Sequence, residues 1–156
     1  MQRIVRCQAA IVQNDHLLLL KANDQVSGKT FWLIPGGGQE PNETEEECVE
    51  REVGEETHLS VEVNGLILDE QAPPDDTYQR LKTYRCLIIS GEAWPGTEPE
   101  ADVEITISEV GWFDLRNPAK WDGLALSDSI TYPLLQRLRC VLGYAIEAGR
   151  GIESSV

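Results

Sequence analysis

The sequence predicts an α/β or α+β domain in which one mixed β-sheet is covered by helices on both faces. Strand-like segments lie on both sides of a single acidic helix-forming stretch, and the last regular segment is a second helix with one apolar side. The length, 156 residues, is enough for one domain with a real core and short for two. Residues 1–148 are assigned to that domain and residues 149–156 to a flexible tail.

Taken in order, residues 3–12 read as a strand, Asn14-Asp15 as a turn, and residues 16–21 as the returning strand of a hairpin. A polar loop over 23–29 precedes a short strand at 30–34 that ends at Pro35. Gly36, Gly37 and Gly38 then let the backbone turn sharply and approach a ligand closely. Thr44 followed by Glu47 is a capping box, so a helix begins near Thr44. Residues 60–68 form the next strand, Pro73 and Pro74 mark a loop over 71–76, and residues 78–90 make a long strand. An acidic loop over 92–102 leads to a strand at 110–113, and residues 121–127 read as irregular. Ser127 or Asp128 caps the last helix, whose apolar side is Tyr132, Leu134, Leu135, Leu138, Val141, Leu142 and Ala145.

Composition narrows the function. A formal charge of -14 argues against nucleic acid or an anionic membrane as the main partner. It would also repel a phosphate-bearing substrate unless metal ions bridged the two. Cys7, Cys48, Cys86 and Cys140 show no CxxC spacing and mostly sit in apolar runs, which predicts buried reduced thiols and not disulfides or zinc ligands. Residues 1–12 lack the apolar core of a signal peptide, and no segment approaches membrane-span length, so the chain reads as a soluble cytoplasmic protein.

The acidic helix carries the chemistry. At about 100° per residue, Glu45, Glu52 and Glu56 fall within roughly 40° of one another. Cys48 and Glu55 lie on one flank of that face, and Val49 and Val53 on the other. Glu52 and Glu56 thus border the stripe that must face the core, whereas Glu46, Glu47, Glu50 and Gly54 point to water. Carboxylates at a core edge repel one another unless something positive sits among them, and a divalent cation with oxygen ligands answers that need.

Gly37, five residues, Glu43, seven residues, then Arg51-Glu52-Val53-Gly54-Glu55-Glu56-Thr57-His58-Leu59 resembles the Nudix box of the Nudix hydrolases. The box is glycine, five spacers, Glu, seven spacers, Arg-Glu, an aliphatic, one spacer, Glu-Glu, one spacer, Gly, an aliphatic. Every position matches except His58, which stands where the family has the glycine that relieves a left-handed backbone at the helix end. The resemblance implies an alpha/beta/alpha sandwich around a mixed sheet, and hydrolysis of a diphosphate bond in a nucleoside diphosphate derivative with Mg2+ or Mn2+. ADP-ribose or a nucleotide sugar is favoured over a nucleoside triphosphate.

Carried onto this sequence, the resemblance implies Glu52 and Glu56, then Glu55, as metal ligands, joined by the backbone carbonyl of Gly36. Arg51 orients carboxylates with Glu43 as its partner, the alternative being an ordinary ion pair to Glu47 or Glu55. The catalytic base is a box glutamate, Glu55 or Glu52, or an acid of the later loop, Glu98, Glu100 or Glu104, of which Glu104 is the preferred candidate. Pro74, fifteen residues after Leu59, resembles a placement in the family's ADP-ribose hydrolases, although turn chemistry explains it equally well. Trp32, Tyr78, Tyr84 and Trp94 stack on a base or belong to the core and rim. Phosphate contacts would come from Arg3, Arg6, Lys21, Lys29, Arg80, Lys82 and Arg85. The expected partner is a small nucleotide, with no nucleic acid and no membrane, and a homodimer is compatible with the sequence. The competing reading is a nucleotide-binding module without turnover, which the full set of box glutamates disfavours.

Overall fold

The computed structural model describes residues 4–97 and 105–144. Strands β1 (Val5–Gln13) and β2 (His16–Asp24) are joined by Asn14 and Asp15, both at positive φ, 51° and 65°. Short polar side chains tolerate that region, and its twist suits a two-residue hairpin. The hairpin pairs only near its turn, Val12 with Leu17 and Gln13 with His16. Beyond it the strands part. β3 (Thr30–Leu33) pairs with β2 and β4 (Gly36–Gly38) pairs with β1, filling the opening. Between them the Pro35 carbonyl accepts the Ala9 N–H at 2.8 Å.

β1 also pairs in parallel with β6 (Arg80–Ser90), which runs antiparallel to β5 (Ser60–Gln71). β7 (Ile105–Asp114) lies antiparallel along β2. The sheet is therefore mixed, as the sequence predicts. Alternation along β1 and β2 divides the core: Cys7, Ala9, Ile11 and Leu18 cluster with Cys48, Val49 and Val53 of α1 (Glu45–Thr57). Ala10, Leu17 and Leu19 cluster with Ala125 of α2 (Gly123–Ser127) and Leu134, Leu135 and Leu138 of α3 (Thr131–Val141).

Several expectations change. The three glycines are a buried strand and not a turn, because β1 takes up their backbone groups and leaves no room for side chains: a Cβ at Gly36 would lie 2.6 Å from the Cys7 carbonyl oxygen. Residues 121–127 are not irregular throughout, since Asp122 accepts the Leu124 N–H at 2.8 Å and starts the short α2. Asp128, not Ser127, serves the start of α3, its Oδ1 accepting the N–H groups of Ile130 and Thr131, each at 2.8 Å.

Val141 is exposed. The chain turns at Gly143, φ 88°, and packs Leu142 and Tyr144 against the core in its place. Cys140, on the same last turn, is exposed, whereas Cys7, Cys48 and Cys86 are buried free thiols. Arg3, Glu98, Glu100, Glu104, Ala145 and the tail 149–156 lie outside the described residues. Among the described residues no helix is long and apolar enough to cross a membrane.

Candidate active site

The helix α1 is fixed at both ends by local chemistry. At its start the capping box is complete, with Thr44 Oγ1 accepting the Glu47 N–H at 3.0 Å and Glu47 Oε1 accepting the Thr44 N–H at 2.9 Å. At its end His58 adopts the left-handed conformation, φ 67°, in the position where glycine was expected, and donates its N–H to the Gly54 carbonyl at 3.1 Å. The imidazole is exposed, so the departure from the box pattern touches the cap.

Between these ends the helix buries two of its acids completely. Glu52 is 0% exposed and Glu56 1%, while Glu55 is half-buried. Glu56 Oε1 accepts the Gly36 N–H at 2.9 Å. Glu52 lies directly under Gly37, where any Cβ would collide with its carboxylate. That close approach is what the missing side chain permits. Glu45, on the same face in the sequence reading, is drawn away by Lys82 Nζ at 3.0 Å and by the Tyr84 hydroxyl.

Arg51 gathers the remaining acids. Its Nε and Nη2 bind Glu43 as a bidentate pair at 2.6 and 3.0 Å, and its Nη1 reaches Glu52 Oε2 at 3.2 Å and Glu55 Oε1 at 3.0 Å. Nη2 also donates to the Gly38 carbonyl at 3.1 Å. Arg51 therefore contacts both Glu43 and Glu55, while Glu47 is occupied by the cap. The guanidinium beside Glu43 holds its carboxyl below the usual value, aided by the Glu40 N–H.

Among the described residues, no three His, Cys, Asp or Glu side chains are gathered as a ready-made metal cluster. Arg51 lies among the carboxylates and Glu56 is turned toward Gly36. The donor set still fits a hard divalent cation. Glu43, Glu52, Glu55 and Glu56 offer only carboxylate oxygens, the hard donors such a cation takes, and Arg51 contacts the first three.

A cavity of about 320 Å³, within the usual range for small-ligand sites, opens on the α3 side of β1, where Trp32, Ile34 and Leu134 are among its lining residues. Arg6 and Gln8, which pair with Gly38 and Gly36 across the β1–β4 ladder, form one wall, and Lys29, Phe31 and Tyr78 contribute others. Arg6 is held by Gln8 Oε1 at 3.0 Å and the Ile34 carbonyl at 2.8 Å, and Gln8 in turn donates to Thr83 Oγ1 at 2.9 Å. Pro73 and Pro74 line a neighbouring hollow that shares Asp76, Thr77 and Ile130 with this cavity.

The aromatic candidates separate. Trp32 is buried, edge-on to Phe113 at 5.0 Å between centroids, and also lines the cavity, while Tyr84 is buried with its hydroxyl on Glu45. Tyr78 lines the cavity, and exposed Trp94 borders a different hollow. Phe31 is a wall residue that sequence reading missed, since one aromatic on a short strand carries no signal of its direction. Of the basic candidates, Arg6 and Lys29 reach the cavity, Lys21 pairs with Glu109, Arg80 with Asp69 and Lys82 with Glu45, and Arg85 is exposed on β6.

A family model described as the NUDIX domain matches residues 4–133. The chain is 38% identical over 85 residues to a nucleoside triphosphatase NudI of Enterobacter sp. (strain 638), a match covering 53% of this chain and 56% of that protein. The match thus spans little more than half of the curated relative's length. Among solved structures, the fold is similar to an ADP-ribose pyrophosphatase from Streptococcus suis 89-1591, at 22% identity and TM-score 0.64, covering 99% of this chain and 98% of the other. It is also similar to a MutT NUDIX hydrolase from Burkholderia pseudomallei, at 26% identity and TM-score 0.62, covering 88% and 99%.

Proposed function

The chain belongs to the NUDIX family of hydrolases, and from that premise we propose that it cleaves a diphosphate bond in a nucleoside diphosphate derivative with the help of Mg2+ or Mn2+. The observation that carries this reading is the buried acidic cluster: Glu56 accepts the Gly36 N–H, Glu52 lies against Gly37, and Arg51 ties Glu52 to Glu55. A cavity with both cations and aromatics is lined by Arg6 and Gln8, the β1 residues paired with Gly38 and Gly36.

Glu52, Glu56 and Glu55 would hold the cation, which when bound supplies charge neutralisation at the diphosphate and activation of the attacking water. Arg51 keeps Glu52 and Glu55 oriented and is itself held by Glu43. Glu55, half-buried, is the box acid best exposed to accept a proton from water, and Glu104 is the candidate from the later loop. Arg6 and Lys29 receive the phosphates, and Phe31 and Tyr78 offer apolar surface to a base. By resemblance to the family's ADP-ribose hydrolases, the placement of Pro74 fifteen residues after Leu59 favours ADP-ribose or a nucleotide sugar. The 38% identity to a nucleoside triphosphatase favours a second reading, a nucleoside triphosphate.

A Mg2+-dependent hydrolysis screen tests both, run with ADP-ribose, nucleotide sugars, dinucleoside polyphosphates and nucleoside triphosphates, with products separated by chromatography. Turnover of ADP-ribose or nucleotide sugars by the wild type and not by Glu56→Gln is expected. Preferential turnover of triphosphates moves the assignment to the second reading. Binding of nucleotide and metal without any cleavage replaces catalysis with a binding module.

A further inference from the structure

The last turn of α1 has partners that its sequence does not announce. The final carbonyls of a helix lack intrahelical donors, and α1 has no basic residue in its last turn to serve them. Three of these carbonyls are met by one passing segment. The Trp94 N–H donates to Thr57 O at 2.9 Å, the Gly96 N–H to Glu56 O at 2.8 Å, and the Thr97 N–H to Glu55 O at 2.9 Å. The segment lies so close that a Cβ on Gly96 would overlap the Glu55 carbonyl oxygen and stand 2.7 Å from the Glu56 carbonyl carbon. Gly96 is not at positive φ, so contact, and not backbone conformation, demands glycine there.

Two of the three clamped residues are Glu55 and Glu56, whose side chains leave the helix toward the Arg51 and Gly36 contacts described above. We propose that residues 94–97 act as a positioning strap, with Gly96 as its contact point, that sets the rotation and height of the α1 last turn and thereby the placement of the Glu55 and Glu56 carboxylates for the cation. This inference rests on the metal-dependent reading. Its physical content is that a methyl group at position 96 lifts the strap or pushes the turn, and supporting groups of this kind change metal affinity by roughly 10–100-fold.

The test compares Gly96→Ala with Gly123→Ala, a control glycine with nothing within 4 Å of its would-be Cβ. Mn2+ binding to the substrate-free protein is followed by electron paramagnetic resonance, beside KM, kcat and thermal unfolding. Expected for Gly96→Ala is Mn2+ binding weakened roughly tenfold or more, a fall in kcat with nucleotide KM unchanged, and a retained cooperative transition; the control matches wild type. Equal Mn2+ affinity and kcat in wild type and Gly96→Ala would overturn the strap while leaving the hydrolase reading standing. A wild type that neither binds Mn2+ nor turns over any nucleotide would remove both. Should Gly96→Ala fail to fold, amide hydrogen exchange on the wild type decides: Mg2+ is expected to slow the Gly96 and Thr97 amides together, and unchanged rates at both refute the proposal.

Discussion

The two faces of the sheet are built on opposite terms. Under α2 and α3 the core is large and apolar: Trp32, Phe113, Trp121, Leu134, Leu135 and Leu138 interlock, with rings edge-on or tilted at 5.0 and 6.4 Å. Under α1 the core side chains are mostly small, Cys7, Ala9, Cys48, Val49 and Val53, and two carboxylates are buried at its border. Burial of apolar area stabilises the first face, while desolvated acids cost stability on the second. The buried acids of the second face are tolerated because apolar packing elsewhere offsets their cost.

The largest expected effect separates the faces outright. Glu56→Gln keeps a side-chain oxygen for the Gly36 N–H but removes a charge proposed to hold the cation, so kcat should fall by roughly a thousandfold, several kcal/mol of lost transition-state stabilisation. The thermal midpoint should move little; joint loss of activity and cooperative unfolding would make Glu56 a structural residue. Leu135→Ala on the opposite face should show the reverse pattern. Stability falls by about 2–5 kcal/mol in urea titration, with kcat unchanged while the protein remains folded.

Arg51→Lys sharpens the contrast within the α1 face. A lysine cannot keep the fork to Glu43 and still reach Glu52 and Glu55, so activity should drop by roughly one order of magnitude, and an unchanged kcat would reduce Arg51 to a surface ion pair. The Glu43 end of that clamp has a pH signature. Its folded pKa is lowered by Arg51, so its stabilisation is present above the ordinary glutamate value of 4.5 and is lost as pH falls through the lower folded value. The stability difference between wild type and Glu43→Gln should be flat at neutral pH and shrink in acid; a difference that grows in acid contradicts the assignment. His58→Gly should have the smallest effect, a gain of up to about 1 kcal/mol from relieving the left-handed residue, with kinetics unchanged. A large kinetic loss would reveal a role for the imidazole.

What could be read from the sequence was whatever side chains announce. The capping box and the placement of Glu52 and Glu56 at the core edge follow from spacing and charge, the Glu43–Arg51 partnership from the Nudix-box resemblance, and the structure contains all three. Features made by backbone were not legible. Gly36–Gly38 looks like a turn because glycine has no strand preference, yet β1 makes it a strand. The strap at 94–97 acts through N–H groups that every non-proline residue owns, so only its glycine hinted at close contact. Val141 fits the helical stripe in projection, but the turn at Gly143 decides which residues reach the core.

The parallel pairing of β1 with β6 also has a consequence for assembly in time. Gln8 meets Thr83 across 75 residues of chain, and the Gly36–Gly38 strand has its place only on that same β1. Contacts of such sequence separation form late and slow folding. During synthesis the acidic box therefore leaves the ribosome well before the strand that completes its surroundings. Until β6 is made, Glu45 lacks its partners Lys82 and Tyr84, and the core beneath α1 lacks Tyr84 and Cys86.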